Sequence, residues 1–324
     1  MNQSILVADR RLPNLPISFF AMVMGLCGLT IAWEKAQHIY GVDLQLNNWL
    51  VGISATVFVT LALLYFAKLL LYTDAVVGEL RHPVKLNFFP AISISLLLLS
   101  IAFLPVDPRV SEPLWLIGAS LHLAFTLYVV NIWIHHEHFE IKHMNPAWFI
   151  PAVGNVLVPV AGVQLGYVDV SWFFFSVGMM FWGILLTIIF NRVLFHHPID
   201  ERLMPTLFIL IAPPAVGFIA YTRLTGELDT LARVLYYAGL FLTLLLFTQV
   251  GRFAKLKFFL SWWAYSFPLA AISIASMAMY ELSGVDAYRW IGTGLLLLLT
   301  AIVALLLVRT AIAVFGHRIC LPGH

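Results

Sequence analysis

The sequence predicts an all-α polytopic membrane protein: ten transmembrane helices paired as five hairpins, the odd helices kinked around a central pore and the even ones outside. Three observations predict it. Of 324 residues, 61% are hydrophobic and 10% charged, against about 45–50% and about 25% in an ordinary soluble protein. At a mean hydropathy of +0.93, polar surface is too scarce to clothe a soluble core of this size. Apolar runs near the length a bilayer demands, about 20 residues, recur through the chain. Proline falls almost wholly in alternate runs.

The ten runs are 15–34, 46–72, 86–104, 113–134, 146–166, 171–195, 204–222, 230–250, 257–280 and 288–315. The first follows Arg10-Arg11 and lacks a convincing small-residue cleavage site, so it reads as a retained helix rather than a signal peptide. The runs consume most of the chain, leaving 1–324 as a single transmembrane channel or transporter domain with short tails. Thirteen Lys and Arg, among them Arg10, Arg11, Lys68, Arg81, Lys142, Arg192, Arg252 and Lys255, fall on one side. Five, Lys35, Arg109, Arg223, Arg233 and Arg289, fall on the other. The positive-inside rule then places both termini in the cytoplasm and the protein in the inner or plasma membrane. Trp33, Trp49, Trp115, Trp133, Trp148, Trp172 and Trp290 lie at predicted span ends, where an indole ring favours the headgroup level.

The proline alternation divides the spans into two kinds. Pro16, Pro90, Pro146, Pro151, Pro159, Pro205, Pro213, Pro214 and Pro268 belong to spans 1, 3, 5, 7 and 9. Spans 2, 6, 8 and 10 have none, and span 4 has only Pro113 at its first turn. Proline deletes a backbone hydrogen bond and bends a helix, and in a membrane the freed carbonyl must find a partner in protein or in a wet cavity. The odd spans therefore form an inner ring, and the Leu-rich even spans an outer layer facing lipid.

The inner equipment is neutral. Ser18, Thr30, Asn87, Ser93, Ser95, Asn155, Gln164, Ser266 and Ser273, with glycines at 25, 28, 154, 162 and 217, suit close helix packing or a narrow polar path. Candidate pore-lining residues are Gly25, Pro90, Pro151, Gly154, Pro213, Pro214, Ser266 and Pro268. Glu34, Lys68, Arg223, Arg233, Glu281 and Arg309 sit near span ends, where they can snorkel. His122 is the one titratable group near mid-membrane, and it reads as a hydrogen-bonded structural histidine on an outer helix.

These absences bound function. One membrane histidine cannot ligate a b-type haem, buried carboxylates typical of proton-driven carriers are missing, and no nucleophile–base–orienter set can be assembled. Catalytic residues, metal ligands and cofactors are accordingly expected to be none. A net charge of +2 without basic blocks argues against nucleic acid. Cys27 and Cys320 form no redox or disulfide pattern. His135-His136-Glu137-His138 with Glu140 and His143, and His196-His197 with Asp200-Glu201, carry metal-ligand chemistry. Their spacing prescribes no tetrahedral site, and a solvated loop accounts for them.

Span 9 carries a distinctive string, Phe259-Leu260-Ser261-Trp262-Trp263-Ala264-Tyr265-Ser266-Phe267-Pro268-Leu269-Ala270-Ala271. It resembles the corresponding segment of the plant slow-type anion channels and their bacterial TehA-like relatives, in the tellurite-resistance/dicarboxylate transporter (TDT) family. Further matches are His82-Pro83-Val84, Asn145-Pro146 through Pro151-Ala152-Val153, and Gly226-Glu227-Leu228-Asp229-Thr230-Leu231-Ala232. The resemblance implies five hairpins around a pore, commonly in a homotrimer, with small inorganic anions and the lipid bilayer as partners. It implies that Phe267 plugs the pore. The family glycine opposite that ring falls on Ala21, which narrows the path by a methyl group. The expected function is a passive channel for chloride or nitrate. A secondary carrier or exporter of C4-dicarboxylates, tellurite or sulfite is the alternative, and a non-conducting sensor or scaffold a third reading.

Overall fold

A computed structural model describes residues 11–42, 44–135, 139–316 and 319–320. Among these, every regular element is helical. Eight helices are long and apolar enough to cross a membrane: Ile17–Tyr40, Leu46–Leu71, Lys85–Phe103, Pro108–His135, Val168–Phe195, Met204–Thr225, Thr230–Phe247 and Asp286–Phe315. Two further helical rods, Pro146–Gly162 and 260–283, occupy the places of the expected spans 5 and 9. The ten rods are numbered as segments 1–10 in chain order. By length and apolarity, eight of the ten rods are candidate spans among the described residues.

Consecutive segments pack as hairpins, 1 on 2, 3 on 4, 5 on 6, 7 on 8 and 9 on 10. The odd segments also touch one another in the cyclic order 1–3–5–7–9–1, closing a ring. Burial follows the same division. Segments 1, 3 and 7 are 67%, 78% and 72% buried, whereas segments 2, 4, 6, 8 and 10 are 22%, 33%, 28%, 39% and 33% buried. Apolar side chains on the outer faces, such as Leu63, Leu70, Leu127, Phe241 and Leu297, stay exposed in the isolated chain, as lipid-facing surface would.

Proline acts differently from the mid-helix kinks expected of it. Each odd segment enters through a 3-10 stretch: Ile17–Phe19, Lys85–Phe88, Pro146–Trp148, Met204–Ile211 and Leu260–Tyr265. The α-helix follows from Phe20, Ala91, Phe149, Ala212 and Ser266 respectively. Pro90 is the N-cap of its α-helix, Pro213 and Pro214 open theirs, and Pro268 stands in the first turn. A first-turn proline forfeits little, because that N–H has no intrahelical acceptor. Only segment 5, with Pro146, Pro151 and Pro159, is broken along its length, into Phe149–Val153, Gly154–Leu157 and Val158–Gly162.

Side chains serve the carbonyls at these breaks. Thr126 Oγ1 donates to Pro151 O (2.7 Å), Asn155 Nδ2 to Ala152 O (2.7 Å) and Trp115 Nε1 to Val158 O (2.8 Å). Ser93 and Ser266 donate to Pro90 O (2.8 Å) and Trp263 O (2.6 Å). Outer segment 4 thereby repairs inner segment 5, which also explains why Trp115 is buried instead of lying at the headgroup level. Trp148 is buried for a second reason, stacked on Trp133 with ring centroids 4.6 Å apart.

Lys68 does not snorkel. It is 1% exposed, and its ammonium meets Glu79 at 2.8 Å and the Leu15 carbonyl at 2.8 Å, while Tyr65 donates to the same Glu79 carboxylate (2.6 Å). Glu79 belongs to a short amphipathic helix, Thr73–Arg81, so the pair ties the end of segment 2 to that helix and to the entry of segment 1. A buried pair breaks at high cost when one partner goes, because the other charge stays desolvated. Glu79→Ala should destabilise the detergent-purified protein by about 3–5 kcal/mol, with Lys68→Met/Glu79→Leu recovering most of the loss. Thermal unfolding of the two variants checks this; a Glu79→Ala protein melting with wild type would contradict it.

Candidate functional site: a cavity at the helix starts

The five odd segments enclose a cavity of about 70 Å³, room for a few water-sized spheres at roughly 10–15 Å³ each. Segment 1 contributes Ala21 and Met24, segment 3 Phe88 and Ile94, and segment 7 Ile209, Ala212, Pro213 and Val216. Segment 5 contributes Phe149, Ile150, Val153, Gly154, Val156 and Leu157, and segment 9 Trp263, Ala264, Phe267 and Pro268. No even segment reaches it, and its lining carries no titratable side chain.

The cavity lies level with the junctions between 3-10 and α-helix. Ala21, Ala212, Pro213, Phe267 and Pro268 all stand in the first turn of their α-helices. The N–H groups at these junctions are spent within the rods, as Phe20 donates to Ile17 O, Ala212 to Ile209 O and Ser266 to Trp263 O. The wall is neutral and holds no fixed cation. The hydroxyls contribute little to the wall, because Ser93, Ser95, Ser266 and Ser273 are buried and bonded to carbonyls.

Of the residues read from the sequence, the structure brings Ala21, Gly154, Pro213, Phe267 and Pro268 to the cavity. Five others stand elsewhere. Gly25 is a packing site, where a Cβ would come within 2.2 Å of Ser266 Oγ, and that hydroxyl is in turn fully buried against segment 1. Pro90 and Pro151 are spent on helix geometry, their carbonyls taken by Ser93 and Thr126. Pro214, next to the lining Pro213, is buried in the segment itself. The phenyl edge of Phe267 rests against segment 1 at Gly28, where a Cβ would lie 3.4 Å from its Cδ2 and 2.8 Å from Ala270 Cβ. Sequence reading placed the space-giving position at Ala21; Gly28 is the glycine the ring touches. Its spacing from Gly25, three residues on one helix face, is a signal that could have found it.

The loop histidines hold turns together. His136, Glu137 and His138 lie outside the described residues. His143 Nδ1 accepts the Glu140 N–H (3.2 Å), and Glu140 pairs with Lys142 at 2.8 Å, which holds the Glu140 carboxyl below its ordinary range. Arg192 is buried and donates to the carbonyls of Ile141 and His197. His82 Nδ1 accepts from Val84 N (3.1 Å) and Lys85 N (3.3 Å). Burial, then nearby Lys85 and His143, hold its pKa below the ordinary histidine value, so acidification through that range works against this turn. Among the described residues, no three His, Cys, Asp or Glu side chains gather as a metal site. Asp229 caps the next helix, accepting from Ala232 N (2.9 Å) and from the Tyr221 hydroxyl (2.5 Å). Those two bonds lower its pKa.

The profile of the SLAC1 family, described as voltage-dependent anion channels, matches residues 14–311. The chain belongs to that family. It is 30% identical over 88% of its length to the tellurite resistance protein TehA homolog of Haemophilus influenzae, covering 90% of that protein. It is 29% identical over 98% of its length to the S-type anion channel SLAH3 of Arabidopsis thaliana. The uncharacterized transporter MJ0762 of Methanocaldococcus jannaschii shares 24% identity over 94% of the chain. This SLAC1-family chain spans about half the length of its plant relatives, 52% of SLAH3 and 54% of SLAH2. With its apolar helices, membership makes it a multi-pass membrane protein of a channel and transporter family.

The Gly28 geometry has a measurable consequence. Ala270 Cβ is fixed to its backbone and cannot rotate away, so Gly28→Ala should push segments 1 and 9 apart at a cost of roughly 1–3 kcal/mol. Adding Ala270→Gly should return most of it. Melting temperatures of the single and double variants decide the matter, and additive losses would show that the two positions do not meet.

Proposed function

We propose that this cavity is the narrowest part of a passive conduction path for small monovalent anions such as chloride and nitrate, closed by Phe267. The observation that carries the reading is the neutral cavity lined by all five odd segments, with Phe267 in its wall. A fixed cation in the passage would hold an anion, whereas conduction requires binding weak enough to release, which a neutral lining provides. The names of the plant relatives, S-type anion channels, point the same way.

Phe267 suits the plug. Its ring borders the cavity, Pro268 fixes the turn that carries it, and Gly28 backs it. Bulk and dewetting would both exclude hydrated ions, and Ala21 adds its methyl to the same wall. Carriage or export of C4-dicarboxylates, tellurite or sulfite is the second reading, favoured by the name of the Haemophilus influenzae relative. A dianion would find no paired cations in this lining, which weighs towards the channel.

The wider arrangement belongs to the same proposal. All ten segments cross the cell membrane as a single domain, both termini are cytoplasmic, and three copies assemble. Native mass spectrometry in mild detergent tests the trimer, and monomers at every concentration would oppose it.

Recording from purified protein in planar bilayers tests the path. Phe267→Ala should raise anion conductance by an order of magnitude or more, and Ala21→Gly should raise it less. Equal low currents from wild type and Phe267→Ala, with comparable folded protein, would remove the plug. Proton-coupled uptake without steady current would instead establish the carrier.

A further inference from the structure

His122 is fully buried on outer segment 4 and hydrogen-bonded on one side only. Its Nδ1 lies 2.9 Å from Ser93 Oγ, and Ser93 gives its single hydroxyl proton to Pro90 O at 2.8 Å. Ser93 must then accept, so the neutral imidazole carries its proton on Nδ1 and leaves a bare lone pair on Nε2. That atom has no partner. It points at Gly154: a Cβ at that residue would lie 2.7 Å from His122 Cε1, 2.8 Å from Nε2 and 2.7 Å from Ile94 Cδ1. Gly154 and Ile94 both line the axial cavity. The imidazole edge thus reaches the cavity wall at the one lining position that has no side chain.

A buried acceptor without a partner is costly, and evolution could have placed an apolar residue here. Protonation would change its role. A proton taken from the aqueous phase goes to Nε2, the only free nitrogen, while Nδ1–H keeps its bond to Ser93. The imidazolium then sets a full positive charge one glycine away from the cavity, in a low-dielectric setting where such a charge acts strongly. Segments 3 and 5 face it with Ser93, Ile94 and Gly154, none of them charged. Nothing nearby but an anion in the cavity could compensate it.

We propose that His122 is a proton-dependent anion-contact site of the axial path, its protonation and the occupancy of the cavity by a small anion favouring each other. The proposal rests on the axial cavity being the anion path. Reciprocity follows from linkage, since an anion that raises proton affinity is itself bound better when the proton is present.

The test uses full-length protein in two assays. In bilayers, Phe267→Ala protein with His122 intact should show anion current rising several-fold as pH is lowered from about 7 to about 4, since burial disfavours the charged imidazole. Adding His122→Gln should flatten that rise. Should the Gln variant not fold, Ser93→Ala, which removes the partner of Nδ1–H, should move the rise to lower pH. An unchanged pH profile would overturn the proposal while leaving the conduction path intact. In the second assay, nitrogen-15 resonances of the histidine side chains are followed in wild type while chloride or nitrate is added at fixed pH, with the His122 signal identified by its loss on substitution. Anion-dependent protonation of that signal is expected, and a signal indifferent to both anions overturns the proposal. If no variant conducts at any pH, the channel reading fails by itself and the resonance still decides the site.

Discussion

The demand that every backbone polar group inside a membrane be satisfied by protein governs the rest of this structure. Lipid offers no hydrogen bonds, so a helix interrupted by proline survives there only if neighbours repair it. Pro90, Pro151, Pro159, Pro213, Pro214 and Pro268 sit on segments that other segments surround. Thr126 and Trp115 reach from segment 4 to carbonyls of segment 5 that its broken course leaves open. Uninterrupted helices need no such help and can face lipid. The inner and outer layers are thus consequences of where the chain can tolerate a break.

The same breaks build the cavity. Starting an α-helix part-way along a rod brings first-turn residues of segments 1, 7 and 9 to the cavity wall. Chemistry of the lining residues matters less than the backbone that presents them. The lining is apolar for the same reason: serines and threonines that could have lined a polar path are occupied with carbonyls, as Ser93, Ser95, Ser266 and Thr126 show.

Much of this was legible in the residues. Proline alternation gave the ring, apolar runs gave the rods within a few residues, and the span-9 string pointed to Phe267. What escaped were features set by three-dimensional proximity. Lys68 and Glu79 are eleven residues apart across a helix break, so hydropathy reads each as a surface charge, although together they form a buried pair. Gly25 and Ser266 suggested a polar path, and only the structure shows a packing lock, since a Cβ at Gly25 would fall 2.2 Å from Ser266 Oγ. Proline content forecast interior kinks, because sequence alone does not reveal where a 3-10 entry hands over to an α-helix. Segment 5 showed the limit most clearly: a run of apolar residues hid four short helical pieces.

Charge placement brings these points together. Among the described residues, the buried side chains with a permanent charge are balanced: Lys68 by Glu79, and Arg192 by two carbonyls. A permanent cation at the axis would meet no such partner and would have to borrow one from the passing solute, turning a path into a trap. A neutral lining avoids this. A histidine behind a glycine is the remaining way to place charge there conditionally, since it is neutral until a proton arrives. Gly154 and Gly28 do related jobs, one leaving room for the His122 imidazole and the other for the Phe267 ring.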